Sequence, residues 1–298
     1  MLSVVITTWN EALNLPRVIA SIKSIADEII VVDTESTDDT VVVAKKLGCK
    51  VFRHKNTGIV EPVRNFSISK ASGDWILLLD ADEEVSPSLA KKIPQLISDP
   101  NTNYYRVPRQ NLIFNKWIQS SHWWPDYVYR LFRKGTITWE DTIHSRPITE
   151  GVGIDLPADE GHAIIHHSYS TISQYVDRLN RYTDYQLSTK STFIWTDVVT
   201  RPVSEFLTQY FARKGYQDGL HGLALSSLQA FSELVLYLKL WQTAGFHDTS
   251  VTPQAAALQL KLKKREYVWW LYQTKIDSSN FFKKIYYKFL RLCSRGLS

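Results

Sequence analysis

The sequence predicts an α/β fold carried by a mainly parallel sheet, on three observations. Short runs rich in Val, Ile and Leu recur at residues 2–9, 28–33 and 74–79; segments of helix length separate them; and polar clusters follow where the apolar runs stop. Strands that are apolar at nearly every position are buried on both faces, as in a parallel sheet covered by helices, and such sheets take their ligands at the carboxyl ends of the strands.

Each element supports that prediction in turn. Residues 2–9 form a strand pattern from the first positions, with no basic or apolar leader, so no secretory signal is predicted and the chain is expected in the cytosol. Residues 16–25 carry Val18, Ile19, Ile22 and Ile25 at helical spacing. After the second strand, Ser36 or Thr37 can cap a helix running to Leu47, and Gly48 can stop it. Residues 61–71 and 87–97 read as two further helices. Beyond about Arg109 the pattern becomes mixed and aromatic, with Trp117, Trp123, Trp124, Tyr127, Tyr129, Phe132 and Trp139 close together. From about Thr200 it is helical, at residues 203–212, 220–241, 255–270 and 280–292. Gln229, Glu233 and Lys239 interrupt the second of these, so it is expected to fall short of the ~18 uninterrupted apolar residues of a spanning helix. The predicted division is residues 1–195 for the α/β domain and 196–298 for a helical extension.

With 298 residues, 44% of them hydrophobic and 22% charged, the composition is globular and excludes a disordered chain. The net charge of +5 is local: residues 254–298 hold ten Lys/Arg against Glu266 and Asp277, a balance of +8 that leaves −3 for residues 1–253. Cys49 and Cys293 have neither disulfide-framework nor zinc spacing.

The sharpest chemical signal is Leu77-Leu78-Leu79-Asp80-Ala81-Asp82-Glu83-Glu84, an apolar strand ending in four carboxylates within five positions. A hard divalent cation, Mn²⁺ or Mg²⁺, would neutralise such a cluster together with diphosphate oxygens; a solvated turn leading to a helix cap at Ser86 is the plainer alternative. The signal stands in a series: Ile6-Thr7-Thr8-Trp9-Asn10-Glu11, then Ile30-Val31-Val32-Asp33-Thr34-Glu35-Ser36-Thr37-Asp38, then Arg64-Asn65, then Asp80-Ala81-Asp82. In this order and spacing the first half of the chain resembles the family 2 glycosyltransferases of the GT-A fold. The resemblance implies a Rossmann-like mixed sheet and transfer of a sugar from a nucleotide diphosphate, commonly UDP, with inversion. It also implies nucleotide-sugar binding by Thr7, Asn10, Glu11, Asp33, Arg64 and Asp80, a metal on Asp82, and Asp38 as a helix-start residue.

Trp124-Pro125-Asp126-Tyr127-Val128-Tyr129-Arg130-Leu131-Phe132-Arg133 is similar to the acceptor-side stretch of the bacterial lipopolysaccharide-core and cell-surface-glycan members of that family. An inverting transfer needs a carboxylate to take the acceptor hydroxyl's proton. Asp126 is the chosen base, with Glu140 and Asp141 as competitors; relatives read His-Glu where this chain has His144-Ser145. Trp123 and Trp124 are the aromatic residues expected to be most exposed. Ile164-Ile165-His166-His167-Ser168-Tyr169 also resembles a stretch of that subgroup, and His166 is expected to complete the metal's coordination or bond the diphosphate.

The glycines at 215, 219 and 222 permit a tight bend or a close helix contact. In residues 254–298, Lys and Arg interleave with aromatic residues, the pattern of a helix lying on an anionic lipid surface. Peripheral contact with the inner face of the cell membrane and a glycan or glycolipid acceptor follow as expectations. Nucleic acid is not expected, because no nucleic-acid motif accompanies the basic residues. Two other readings stay open: a GT-A membrane scaffold without chemistry, and a nucleotidyltransferase, whose usual Gly-rich phosphate loop Thr7-Thr8-Trp9-Asn10-Glu11 lacks.

Overall fold

The computed structural model describes residues 1–58, 60–140, 146–187 and 192–293. The chain divides into two compact units, Met1–Ile113 with Trp123–Ser168, and Phe114–His122 with Tyr169–Ser298. The predicted boundary at 195/196 falls at the start of a helix inside the second unit.

The first unit alternates β1 (Leu2–Thr8), α1 (Leu15–Ile22), β2 (Glu28–Asp33), α2 (Thr40–Lys46), β3 (Lys50–Arg53), α3 (Glu61–Ser69) and β4 (Trp75–Asp80). It continues with β5 (Glu83–Val85), α4 (Pro87–Ser98) and β6 (Tyr104–Ile113). After β7 (Lys116–Trp117), which belongs to the second unit, it resumes with β8 (Asp126–Arg133), β9 (Ile137–Thr138), β10 (Ile148–Thr149), β11 (Gly153–Asp155) and β12 (Ile164–Tyr169). The main sheet runs β3-β2-β1-β4-β8-β6-β12-β5. Its first four strands are parallel, and β8 then turns antiparallel to both β4 and β6. This is the mixed α/β sheet of the GT-A fold, and its strand order reverses at β1/β4, where ligands of open α/β sheets bind.

Both faces of the sheet are buried, which accounts for the continuous apolar runs. Val4 and Ile6 of β1 and Leu77 and Leu79 of β4 pack with Leu15, Val18 and Ile22 of α1 and Leu89 and Ile93 of α4. Val5, Ile76 and Leu78 point the other way, toward Val63 and Ile68 of α3. Fully burying each such side chain stabilises the fold by about 1.5–3 kcal/mol. Ser86 caps α4 by accepting from the Leu89 N–H at 3.2 Å, and Gly48, at φ +83°, ends α2 in the left-handed region.

The second unit holds α5 (Ile172–Leu187), α6 (Trp195–Leu207), α7 (Leu220–Thr243), α8 (Pro253–Asp277) and α9 (Phe281–Cys293). Asp218 ties in the segment 114–122, its carboxylate accepting from the backbone N–H groups of Gln119 and Ser120 at 3.2 and 2.9 Å. Gly222 is required there: a Cβ would stand 1.7 Å from the carbonyl oxygen of Gly215. The glycine stretch therefore makes the close contact its composition allows. The expectation for α7 needs correction. It has 24 residues and an 18-residue window of mean hydropathy 1.3, long and apolar enough to cross a membrane by length and composition. Lys239 lies within this helix, and its ammonium bonds Asp184 at 2.6 Å and the Thr183 hydroxyl at 2.9 Å.

Candidate functional site

Register builds the site. Thr7 and Asp80 are paired neighbours at the carboxyl ends of β1 and β4. Alternation puts them on the face covered by α3, because Val5 and Leu78, two positions earlier, lie there. Residues of α3 meet them: the Thr7 and Ser67 hydroxyls are 3.2 Å apart, and Arg64 Nη2 donates to both Asp80 oxygens at 3.1 and 3.3 Å. The Arg64 guanidinium also lies 5.5 Å from the ring centre of Trp139, whose backbone N–H and C=O are both bonded by Asn65, at 2.9 and 2.7 Å. The buried Arg64 Nε has no hydrogen-bond partner among the described residues.

The first two loops are clasped together. Asn10 adopts φ 56°, a left-handed conformation that Asn tolerates, and its Oδ1 accepts from the Thr37 N–H at 2.7 Å and the Asp38 N–H at 3.3 Å. The Glu11 N–H donates to the Thr40 hydroxyl at 2.7 Å, and the Glu11 carboxylate accepts from Asn14 at 2.6 Å. Asp33, buried at the end of β2, accepts from the Ser36 N–H at 3.3 Å. Asp38 accepts from the Thr40 N–H at 3.0 Å, the helix-start role expected of it, and from the Ala12 N–H at 3.2 Å. The slight desolvation of this exposed carboxylate would raise its pKa, but hydrogen bonds from the Thr40 hydroxyl and from the Thr40 and Ala12 N–H groups outweigh that and lower it.

From Asp80 a chain of alternating charge crosses the sheet. Arg130 on β8 donates to Asp80 and, at 2.7 Å, to Glu83. Glu83, fully buried, also accepts from Arg109 at 3.2 Å and from the Asp80 N–H at 3.0 Å. Arg109 stands opposite Asp126 in the β6–β8 register and grips its Oδ2 with Nε at 2.9 Å and Nη2 at 2.6 Å. Asn111 Nδ2 reaches the same oxygen at 3.1 Å, and Asn111 Oδ1 lies 2.5 Å from His166 Nδ1. His166, opposite Glu83 in the β12–β5 register, holds Nε2 3.4 Å from Asp82 Oδ2. Three guanidiniums thus interleave with Asp80, Glu83 and Asp126, and Asp82 joins the arrangement through His166. Burial would raise the pKa of Asp80, yet Arg130 and Arg64 outweigh it and hold the carboxyl far below its usual range. Burial works against the Arg130 charge as well, but Asp80 and Glu83 more than offset it.

The structure therefore brings Thr7, Arg64, Asp80, Asp82, Asp126 and His166 into one connected arrangement, with Asn10, Glu11 and Asp33 in the loops beside β1. Glu140 is exposed and directly follows Trp139; Asp141 and His144-Ser145 lie outside the described residues. Trp123 and Trp124 are half-buried, less exposed than expected. Among the described residues no group of three or more His, Cys, Asp or Glu converges as a metal cage. His167 meets Glu84 at 3.1 Å; the pair tied to Asp126 through Asn111 is Asp82 and His166, at 3.4 Å, and cis ligands of an octahedral ion at about 2.1 Å stand about 3 Å apart. The pair fits two positions of such an ion, the rest falling to substrate oxygens and water. The sequence alone assigned no role to Arg109, Asn111 or Arg130, and it grouped Glu83 with the cation-binding carboxylates, whereas Glu83 serves Arg130 and Arg109.

The model of glycosyl transferase family 2 matches residues 3–149. An uncharacterized glycosyltransferase of Rickettsia felis is 31% identical over 255 residues, 80% of this chain and 89% of the relative. The chain belongs to glycosyltransferase family 2. A second relative, an uncharacterized glycosyltransferase of Rickettsia conorii, is 30% identical over 82% of this chain and 90% of its own length. Among solved structures the family 2 chain is similar to glucosyl-3-phosphoglycerate synthase from Mycobacterium tuberculosis, in complex with Mn²⁺, UDP-glucose and phosphoglyceric acid. That match is 25% identical with a TM-score of 0.31, over 36% of this chain and 42% of the synthase.

Proposed function

We propose that this family 2 glycosyltransferase moves a sugar from a nucleotide diphosphate, a UDP-sugar by the family's common case, to a cell-surface glycan or glycolipid with inversion at the anomeric carbon. The observation that supports the reading is the chain of hydrogen bonds from the Asp82–His166 pair through Asn111 to Asp126, a pair suited to a cation and a carboxylate suited to taking a proton. Thr7, Asn10, Glu11 and Asp33 line the nucleotide end, and the buried, fork-shaped Arg64 faces diphosphate charge. Mn²⁺ or Mg²⁺ on Asp82 and His166 would supply charge neutralisation for the departing diphosphate. The acceptor hydroxyl attacks the anomeric carbon, the bond from that carbon to the phosphate oxygen breaks, and the hydroxyl proton passes to Asp126. Oδ2 of Asp126 already takes three donors, which leaves Oδ1 for the acceptor. Resemblance to the lipopolysaccharide-core subgroup supports an envelope glycan as acceptor, and the intact charge chain speaks against a scaffold without chemistry.

We place the protein at the inner face of the cell membrane. On α9, Phe281, Phe282, Ile285, Phe289 and Leu292 are all more than half exposed on one side, while Arg291 bonds Gln273 and lies 5.1 Å over Trp269 of α8. Lys283, Lys284 and Lys288 flank the apolar side, the arrangement of an interfacial helix.

A thermal-shift screen of nucleotide-sugars with Mn²⁺ or Mg²⁺ identifies the donor. Asp82→Ala is then expected to abolish metal-dependent donor cleavage while the circular dichroism spectrum is kept; cleavage indifferent to chelators defeats the reading. Flotation of the full chain with anionic vesicles is expected to fail for Phe282→Glu with Phe289→Glu, and equal recovery of variant and wild type removes the membrane contact.

A further inference from the structure

Asn111 lies in the interior of β6, fully buried, where an apolar residue would be the ordinary choice. Its amide nitrogen faces the Trp123 carbonyl at 2.9 Å and Asp126 Oδ2 at 3.1 Å. Both are acceptors only, since the carboxylate on the Arg109 fork is ionised, so the amide has one allowed orientation and its oxygen must face His166 Nδ1, 2.5 Å away. An oxygen there accepts and cannot donate. His166 therefore carries a proton on Nδ1, which leaves Nε2, 3.4 Å from Asp82 Oδ2, as the ring atom able to meet a cation.

We infer that Asn111 is a positioning residue serving both halves of the site, fixing His166 as an Nε2 donor to a cation and Asp126 as a base working through Oδ1. The inference rests on the roles assigned above to His166 and Asp126. One rigid amide thereby couples the group that meets the leaving diphosphate to the group that meets the acceptor. Side chains that orient a metal-bound histidine typically change metal affinity roughly 10–100-fold when removed.

Three measurements test it. Long-range ¹H–¹⁵N correlation on wild-type protein with neutral imidazoles is expected to show His166 protonated at Nδ1; an Nε2-protonated ring overturns the inference. Asn111→Leu removes both contacts and is expected to weaken Mn²⁺ binding in the presence of UDP, read by the electron paramagnetic resonance of free Mn²⁺, by roughly 10–100-fold and to lower kcat as well. Asn111→Ser carries the same expectation should the Leu variant not fold. Asn111→Asp keeps an acceptor for His166 but sets a second carboxylate against Asp126. It is expected to hold Mn²⁺ affinity near wild type while kcat falls with little change in KM for the donor. Equal losses of affinity and kcat in the Leu and Asp variants would mark a merely structural residue and overturn the inference. His166→Ala with unchanged Mn²⁺ affinity, or Asp126→Asn with unchanged kcat, would instead strike the underlying site assignment.

Discussion

Replacing Arg130 by Met is the most informative perturbation of the charge chain. The guanidinium is 3% exposed and serves two carboxylates, one of them the fully buried Glu83. Removing one partner of a buried pair costs about 3–5 kcal/mol, because the charge left behind stays out of water. The low end applies here: Asp80 retains Arg64, and Glu83 retains Arg109 and the Asp80 N–H. A loss of about 3 kcal/mol, at 2–4 °C per kcal/mol for a chain of a few hundred residues, lowers the melting temperature by about 6–12 °C. The loss also depends on pH with a definite sign. The folded-state pKa of Asp80 is depressed below its ordinary 3.8, so its pairing stabilises the fold above that pH and is lost progressively below it. The gap between variant and wild type should therefore be full at pH 7 and narrow below about pH 4. The assay is differential scanning fluorimetry across pH, with Asp80→Asn alone and combined with Arg130→Met. The double variant should fall short of the summed single losses by at least about 1 kcal/mol. A melting temperature within about 2 °C of wild type at pH 7, or a gap that widens in acid, refutes the reasoning.

Three further outcomes follow from other parts of the molecule. Burial would raise the pKa of Glu28, but hydrogen bonds from Lys50, Ser3 and Ser72 outweigh it and bring it down from 4.5 to about 2. Glu28→Gln should then cost about 1 kcal/mol at pH 7, a modest value since Lys50 is exposed, and the cost should vanish between about pH 4.5 and 2 in acid titration followed by circular dichroism. Gly222→Ala should destabilise by about 1–3 kcal/mol through overpacking against Gly215; since Ala is the better helix former by about 1 kcal/mol, a stabilised variant would refute the contact. Burial pushes the Cys49 thiol up to about 11, so in a Cys293→Ser background it should react with a disulfide reagent at neutral pH far more slowly than after denaturation.

The parallel half of the fold was legible because strands buried on both faces leave nowhere for polar residues: 28–33 is reproduced to the residue, and 74–79 shifts by one. The polar tips were legible for the same reason, since Asp80 and Asp82 break a run that otherwise has no exposed position. Arg109, Asn111 and Arg130 were not. Each sits in a strand among residues of mixed polarity, and nothing within a few positions tells a polar side chain facing a buried carboxylate from one facing water. Their partners arrive from 17 to 55 positions away, through strand register. α5 escaped detection because only Tyr175, Leu179 and Thr183 of its sixteen residues are buried, a stripe too thin to stand out among polar neighbours. α7 was underrated because its polar residues were counted as interruptions, although Lys239 is satisfied by neighbouring oxygens.

The pairing of Thr7 with Asp80 constrains the gene in an unusual way. Side chains on these strands alternate faces, so one codon added to either would hand the place of Thr7 or Asp80 to Ile6 or Leu79 and turn the polar tip into the layer beneath α1. Descendants of this sequence can vary the identity of many residues along β1 and β4, but they can scarcely vary their number.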